Sequence, residues 1–93
     1  MIIRICTENK NREQVRIEVD KYFDCYSLFQ GVGMWNGQVE HSLLIEIAMD
    51  ANADQTDHTI ARAAALELAD DIKILNNQEA VLVEFLQSEN VMV

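Results

Sequence analysis

The chain has 93 residues, nearly half of them hydrophobic, and a net charge of −9. That is one domain with a packed core, which excludes wholesale disorder. The acidic balance repels nucleic-acid phosphates and anionic membranes, so neither is an expected direct partner. No run of residues approaches the roughly 18 apolar side chains needed to span a bilayer.

The N-terminal run Met1–Cys6 has neither the basic start nor the long apolar stretch of a signal peptide, so a cytoplasmic location is expected. Proline is absent and the three glycines all fall between positions 31 and 37, so strong punctuation is confined to one place.

Ile2–Thr7 is rich in β-branched residues and reads as a first strand. After the polar break at 8–11, Asn11 is placed to cap a helix through Arg12, Val15, Val19 and Tyr22. Val15, Ile17 and Val19 also alternate as a strand would, but Tyr22 and Phe23 continue the helical stripe, which favours helix. Phe23–Gln30 reads as the second strand, with Cys25, Ser27 and Phe29 on one side and Tyr26 and Leu28 on the other.

Gly31 and Gly33 suggest a bulge or a close backbone approach, and Asn36-Gly37 signals a tight hairpin, because a type I′ turn needs positive φ at both central positions. The return strand is Glu40–Met49, alternating Leu43, Ile45, Ile47 and Met49 against Ser42, Leu44, Glu46 and Ala48. Asp57 is placed to cap a second helix, His58–Leu75, whose apolar stripe is Ala61, Ala65, Leu68, Ile72 and Leu75. Glu79–Leu86 reads as the last strand, and the tail 86–93 ends on Val91, Met92 and Val93.

The order β-α-β-β-α-β defines a single α+β domain of ferredoxin-like design. Two helices cover one face of a four-stranded antiparallel sheet. The second face is then open. With Leu28, Leu44 and Tyr26 expected on it, it should be covered by another copy, in a dimer or trimer.

The hairpin residues Gly31, Gly33, Trp35, Gly37, Glu40 and Ser42, the run Leu44–Ile47, and the segment Asn77–Val83 after the second helix resemble a group of small bacterial and phage proteins. They resemble more distantly the ferredoxin-like proteins of the PII and CutA type. The resemblance spans about positions 23 to 83 and implies the fold and a tendency to form oligomers. The long loop and basic residues with which PII proteins hold nucleotides have no counterpart here, so nucleotide sensing is not implied.

No residues show metal-ligand spacing: there is no CxxC or HxxxH, and Glu40 and His41, adjacent in a strand, point to opposite faces. No metal or cofactor is expected. Cys6 and Cys25 read as buried thiols in a reducing compartment. Ser27 and Ser42 lack a nucleophile-elbow pattern, Cys25 and His41 have no local dyad signature, and Gly31-x-Gly33 lacks the helix a phosphate loop requires. Glu40 and Glu46 share one strand face, with Glu84 a neighbour from another strand, a set that could share a proton or pair with Arg4 or Arg16.

Three classes of function follow. One is a non-catalytic binding or regulatory module, self-associating through its sheet, with Tyr26, Gly33, Trp35, Glu40, Ser42 and Glu46 as candidate contacts. The second is an acidic inhibitor of phage or mobile-element type that mimics nucleic acid and blocks a basic enzyme. The third is a small enzyme using the strand carboxylates.

Overall fold

A computed structural model describes residues 1–50 and 52–87, apart from the side chain of Trp35. Six elements follow one another: β1 (Ile2–Glu8), α1 (Arg12–Asp20), β2 (Ser27–Trp35), β3 (Gln38–Ala48), α2 (Gln55–Leu75) and β4 (Leu82–Leu86). The strands form one antiparallel sheet in the order β2-β3-β1-β4. This is the expected α+β arrangement. The tail residues Val91, Met92 and Val93 lie outside the described residues.

The alternation of the two central strands sets the two faces. Ile3 and Ile5 of β1 stand opposite Ile47 and Ile45 of β3, and with Leu43 they are buried beneath the helices. Burying each such side chain contributes roughly 2 kcal/mol. α1 delivers Val15 and Val19 to this core, while Ile17 is exposed, so the helical period governs the segment. α2 delivers Ala61, Ala65, Leu68, Ala69 and Ile72. The three buried alanines let the helix lie close to the sheet.

The helix ends depart from expectation in instructive ways. α2 begins at Gln55, earlier than Asp57 suggested. Asp54 is the cap: its side chain accepts from the Asp57 N–H at 2.8 Å, and the Asp57 carboxylate accepts from the Asp54 N–H at 3.0 Å. This reciprocal pair satisfies two N–H groups that a helix start leaves free. α2 ends in a left-handed Asn77 (φ 52°), with the Gln78 N–H donating to the Lys73 carbonyl at 3.0 Å. Asn11 stands at the start of α1, but its side chain does not cap it. Its amide donates instead to the Asn76 side-chain oxygen at 3.1 Å.

Among the described residues, Asn76 is the one large polar side chain sealed in the core, with 1% exposure. Its amide nitrogen lies 3.3 Å from the hydroxyl of buried Thr7 and 3.2 Å from the Gln78 side-chain oxygen, and the Thr7 hydroxyl donates to that same oxygen. One amide thus joins the end of β1, the start of α1 and the end of α2. At the other end of α1, the Tyr22 hydroxyl donates to Asp71 of α2 at 2.6 Å. This bond is the leading reason the Tyr22 pKa is pushed up to about 12.

β2 starts at Ser27 rather than Phe23. The N–H groups of Tyr22 and Phe23 still donate to the Val19 carbonyl, so the chain is closing α1 there. The strand also runs through the glycines without a bulge, pairing Gly31 with Ser42 and Gly33 with Glu40. Asn36 (φ 49°) and Gly37 (φ 77°) make the hairpin turn as expected. β4 is shorter than expected, since residues 79–81 lie outside the ladder.

Two measurements check this account. Asn76→Ala strands the Thr7 and Asn11 partners and should cost about 1–3 kcal/mol, whereas Asp54→Ala should cost about 1 kcal/mol; urea unfolding reads both. Phenolate absorbance should show one tyrosine titrating near pH 12, a phase removed by Tyr22→Phe and lowered by Asp71→Asn. Because the folded value is raised, the Tyr22–Asp71 tie is fully present below pH 10 and is lost as pH rises through about 12.

Candidate functional site

The face of the sheet away from the helices is the candidate site. Residues paired across the strands share a face, so the register places Ser27, Glu46, Arg4 and Glu84 in one row across all four strands. The adjacent row is Phe29, Leu44, Cys6 and Leu82, an apolar band of the same width. Phe29 and Leu82 are 50% and 58% exposed. Towards the hairpin follow Gly31, Ser42 and Glu8, then Gly33 and Glu40.

The charge of this face is lopsided. Glu8, Glu40, Glu46 and Glu84 stand on it with one cation, Arg4, whose Nε lies 3.1 Å from Glu46. Lys10 reaches Glu8 from the rim at 2.9 Å. Both ion pairs are partly solvated and contribute little to stability. The Cys6 thiol is pushed up from its ordinary pKa by burial and by the negative fields of Glu40 and Glu84.

Gly31 and Gly33 are the unusual residues of this surface. Neither has a positive φ. A Cβ on Gly31 would meet the Ser42 Oγ at 3.5 Å, and one on Gly33 would come no nearer than 4.0 Å to the Glu40 carbonyl. The fold has room for side chains at both positions, and glycine in a strand weakens it. The chain's own packing therefore gives no reason for glycine there, and their effect is to leave bare backbone open to whatever approaches the face.

The expected contacts divide accordingly. Gly33, Glu40, Ser42 and Glu46 are on the open face together. Trp35 ends β2 opposite Gln38, and its side chain is outside the description. Tyr26 is a correction, and so is Leu28. Leu28 stands opposite buried Ile45, and both side chains pack against the helix-side core. The pairing with β3 fixes the phase of Leu28, and Tyr26, just ahead of the strand, packs on the same side, so of the three residues assigned to the open face only Leu44 is there.

Tyr26 still reaches the rim, where its hydroxyl donates to Asp20 and an open cleft of about 650 Å³ is lined by Asp20, Asp24, Cys25, Ser27, Glu46 and Ala48. Its pKa is raised, first by desolvation and then by the Asp20 bond. The thiol expectation is half corrected: both cysteines are free, Cys6 is half-buried and Cys25 is exposed, because Cys25 precedes the start of β2 instead of lying within it. Among the described residues no group of three His, Cys, Asp or Glu side chains could hold a metal ion. No helix among them is long and apolar enough to cross a membrane.

No protein-family model matches the chain, and no curated protein matches it by sequence. Solved structures do. A phage SAM lyase in complex with S-methyl-5′-thioadenosine superposes with a TM-score of 0.64 at 18% identity, over 88% of this chain and 76% of the lyase chain. A de novo designed protein superposes with a TM-score of 0.48 at 17% identity, over 95% and 94%. At these identities the likeness to the lyase shows a shared fold.

The thiols give a direct check on the geometry. A disulfide-exchange reagent should label exposed Cys25 first and Cys6 more slowly, with Cys6 gaining rate as pH rises. In Cys25→Ser only the slow phase should remain. Equal rates for the two would contradict the placement.

Proposed function

We propose that this chain is a binding module that self-associates through the open face of its sheet and holds there a small cationic nucleoside of the S-adenosylmethionine class. The observation that carries the reading is the make-up of that face: an apolar band across all four strands, set among four glutamates and one arginine. A flat ring attached to a positive centre matches both parts. The ring gains by covering apolar surface and bare backbone, and the sulfonium or ammonium gains beside carboxylates. Gly33, Glu40, Ser42 and Glu46 are the contacts this reading assigns, with Trp35 flanking them at the hairpin.

The fold shared with a phage SAM lyase makes a sulfonium nucleoside the first ligand to try. The reading is of binding rather than turnover. The nucleic-acid-mimic alternative draws less support. Such a protein needs one dense acidic stripe, whereas the carboxylates here are spread over the open face (Glu8, Glu40, Glu46, Glu84), α1 (Glu13, Glu18) and α2 (Glu67, Asp70), and Glu13 and Glu18 pair with Arg16 and Lys21.

Calorimetric titration with S-adenosylmethionine, run beside light scattering, tests the reading. An assembly larger than one chain and saturable heat of binding are expected. Gly33→Val should raise the thermal midpoint, since the strand accepts a β-branched residue there, and should abolish binding. A Gly33→Val protein that binds as the parent does would remove the assignment of the site. Ligand recovered as S-methyl-5′-thioadenosine would replace binding by turnover.

A further inference from the structure

The chain carries a second exposed apolar patch, away from the open face. The β2–β3 hairpin outruns the rest of the sheet. β1 pairs with β3 only as far as Glu8 and Ser42, while β2 and β3 stay paired to Trp35 and Gln38. The hairpin beyond Ser42 is therefore an arm two strands wide.

On the helix side of this arm Val32, Met34 and Val39 are 64%, 65% and 63% exposed, with Met34 directly opposite Val39 and Val32 opposite His41. The Asn9 N–H donates to the His41 carbonyl at 2.9 Å, which brings the segment carrying Lys10 and Arg12 to the base of the arm. α1 lies on that same side. Glu13, also in its first turn, is engaged by Arg16 at 3.2 Å. Lys10 is itself held by Glu8 at 2.9 Å, so the underside of the arm is apolar with Arg12 at its base.

The open face has the complementary character, apolar with an anionic surround. One chain carries both halves of a contact. In a chain of charge −9, copies repel at a distance, so the place where they meet is set by where opposite charges can be brought together. A face-to-face pair would set four glutamates against four glutamates. An arm-to-face contact sets Arg12 against them instead.

Building on the reading of the open face as an assembly surface, we infer that the arm of one copy lies on the open face of the next. Val32, Met34 and Val39 cover the band of Phe29, Leu44 and Leu82, and Arg12 approaches Glu84, which leaves Gly33, Glu40, Ser42 and Glu46 to the ligand. Arm and face are different surfaces, so each copy gives one and receives one. Such an exchange closes as a two-fold pair when it is reciprocal and as a ring when it is not.

The geometry has a distinctive test in the full chain. Met34→Asp disables the arm and Leu44→Asp disables the face; each variant alone should scatter as a single chain while keeping its circular dichroism. Mixed in equal amounts they should recover a pair, because one retains a working face and the other a working arm, and growth should stop there. Val39→Asp and Phe29→Asp form a second couple in case either of the first fails to fold.

If the two variants stay monomeric when mixed, an intact arm does not seat on an intact face and the arm-to-face arrangement is overturned, while self-association of the parent survives. If the arm variant assembles as the parent does, the arm is not in the contact and the inference is overturned too. If the parent chain itself is a monomer at high concentration, the assembly reading falls and takes this inference with it.

Discussion

The structure depends on the alternation of β1 and β3, the two strands paired on both sides. Ile3, Ile5, Leu43, Ile45 and Ile47 point one way and are sealed beneath the helices. Having a period of two, the same strands must point Arg4, Cys6, Leu44 and Glu46 the other way. A slip of one residue would exchange the faces and bury charge, so the register is held firmly. The helix layer covers one face only, and the second face is a consequence of building the first. What that face carries is therefore the informative part of the sequence.

It carries features a passive surface has no use for. The apolar band continues across four strands, although nothing in the helix-side core requires apolar side chains there. Two strand positions are glycine where the backbone is ordinary and side chains would fit. Both weaken an isolated chain, the band by exposing apolar surface and the glycines by lowering strand preference. Under the proposed binding role, stability is given up at these positions for contact with a ligand or another copy. The polar network around Asn76 shows the contrast: there each buried polar atom is matched within the chain, and the matching accounts for the residues in full.

Much of the fold was legible because it rests on local period. The order of the six elements, the hairpin at Asn36-Gly37 and the helical nature of α1 all follow from spacing, and the exposure of Ile17 between buried Val15 and Val19 shows why the helical reading wins. What escaped the sequence depends on distant partners. The phase of β2, which turns Leu28 inwards, is set by pairing with β3. The Asn76 network joins residues up to 71 positions apart and leaves no local trace. The start of β2 at Ser27 follows from how α1 closes onto Val19, which also leaves Cys25 exposed. For the site, the alternation gathered Glu40, Ser42 and Glu46, but the meaning of Gly31 and Gly33 needed coordinates. Only a regular ladder with room for side chains separates a bare strand from a bulge.

The claim that the open face is the working surface is tested most directly by following backbone amide resonances while the chain is concentrated and then titrated with S-adenosylmethionine. Shifts should gather at Phe29, Gly31, Gly33, Glu40, Leu44, Cys6 and Leu82, and along the hairpin arm. Shifts confined to the outer side of α2, at Ile60, Leu66 and Ile74, with the open-face amides unmoved, would contradict it.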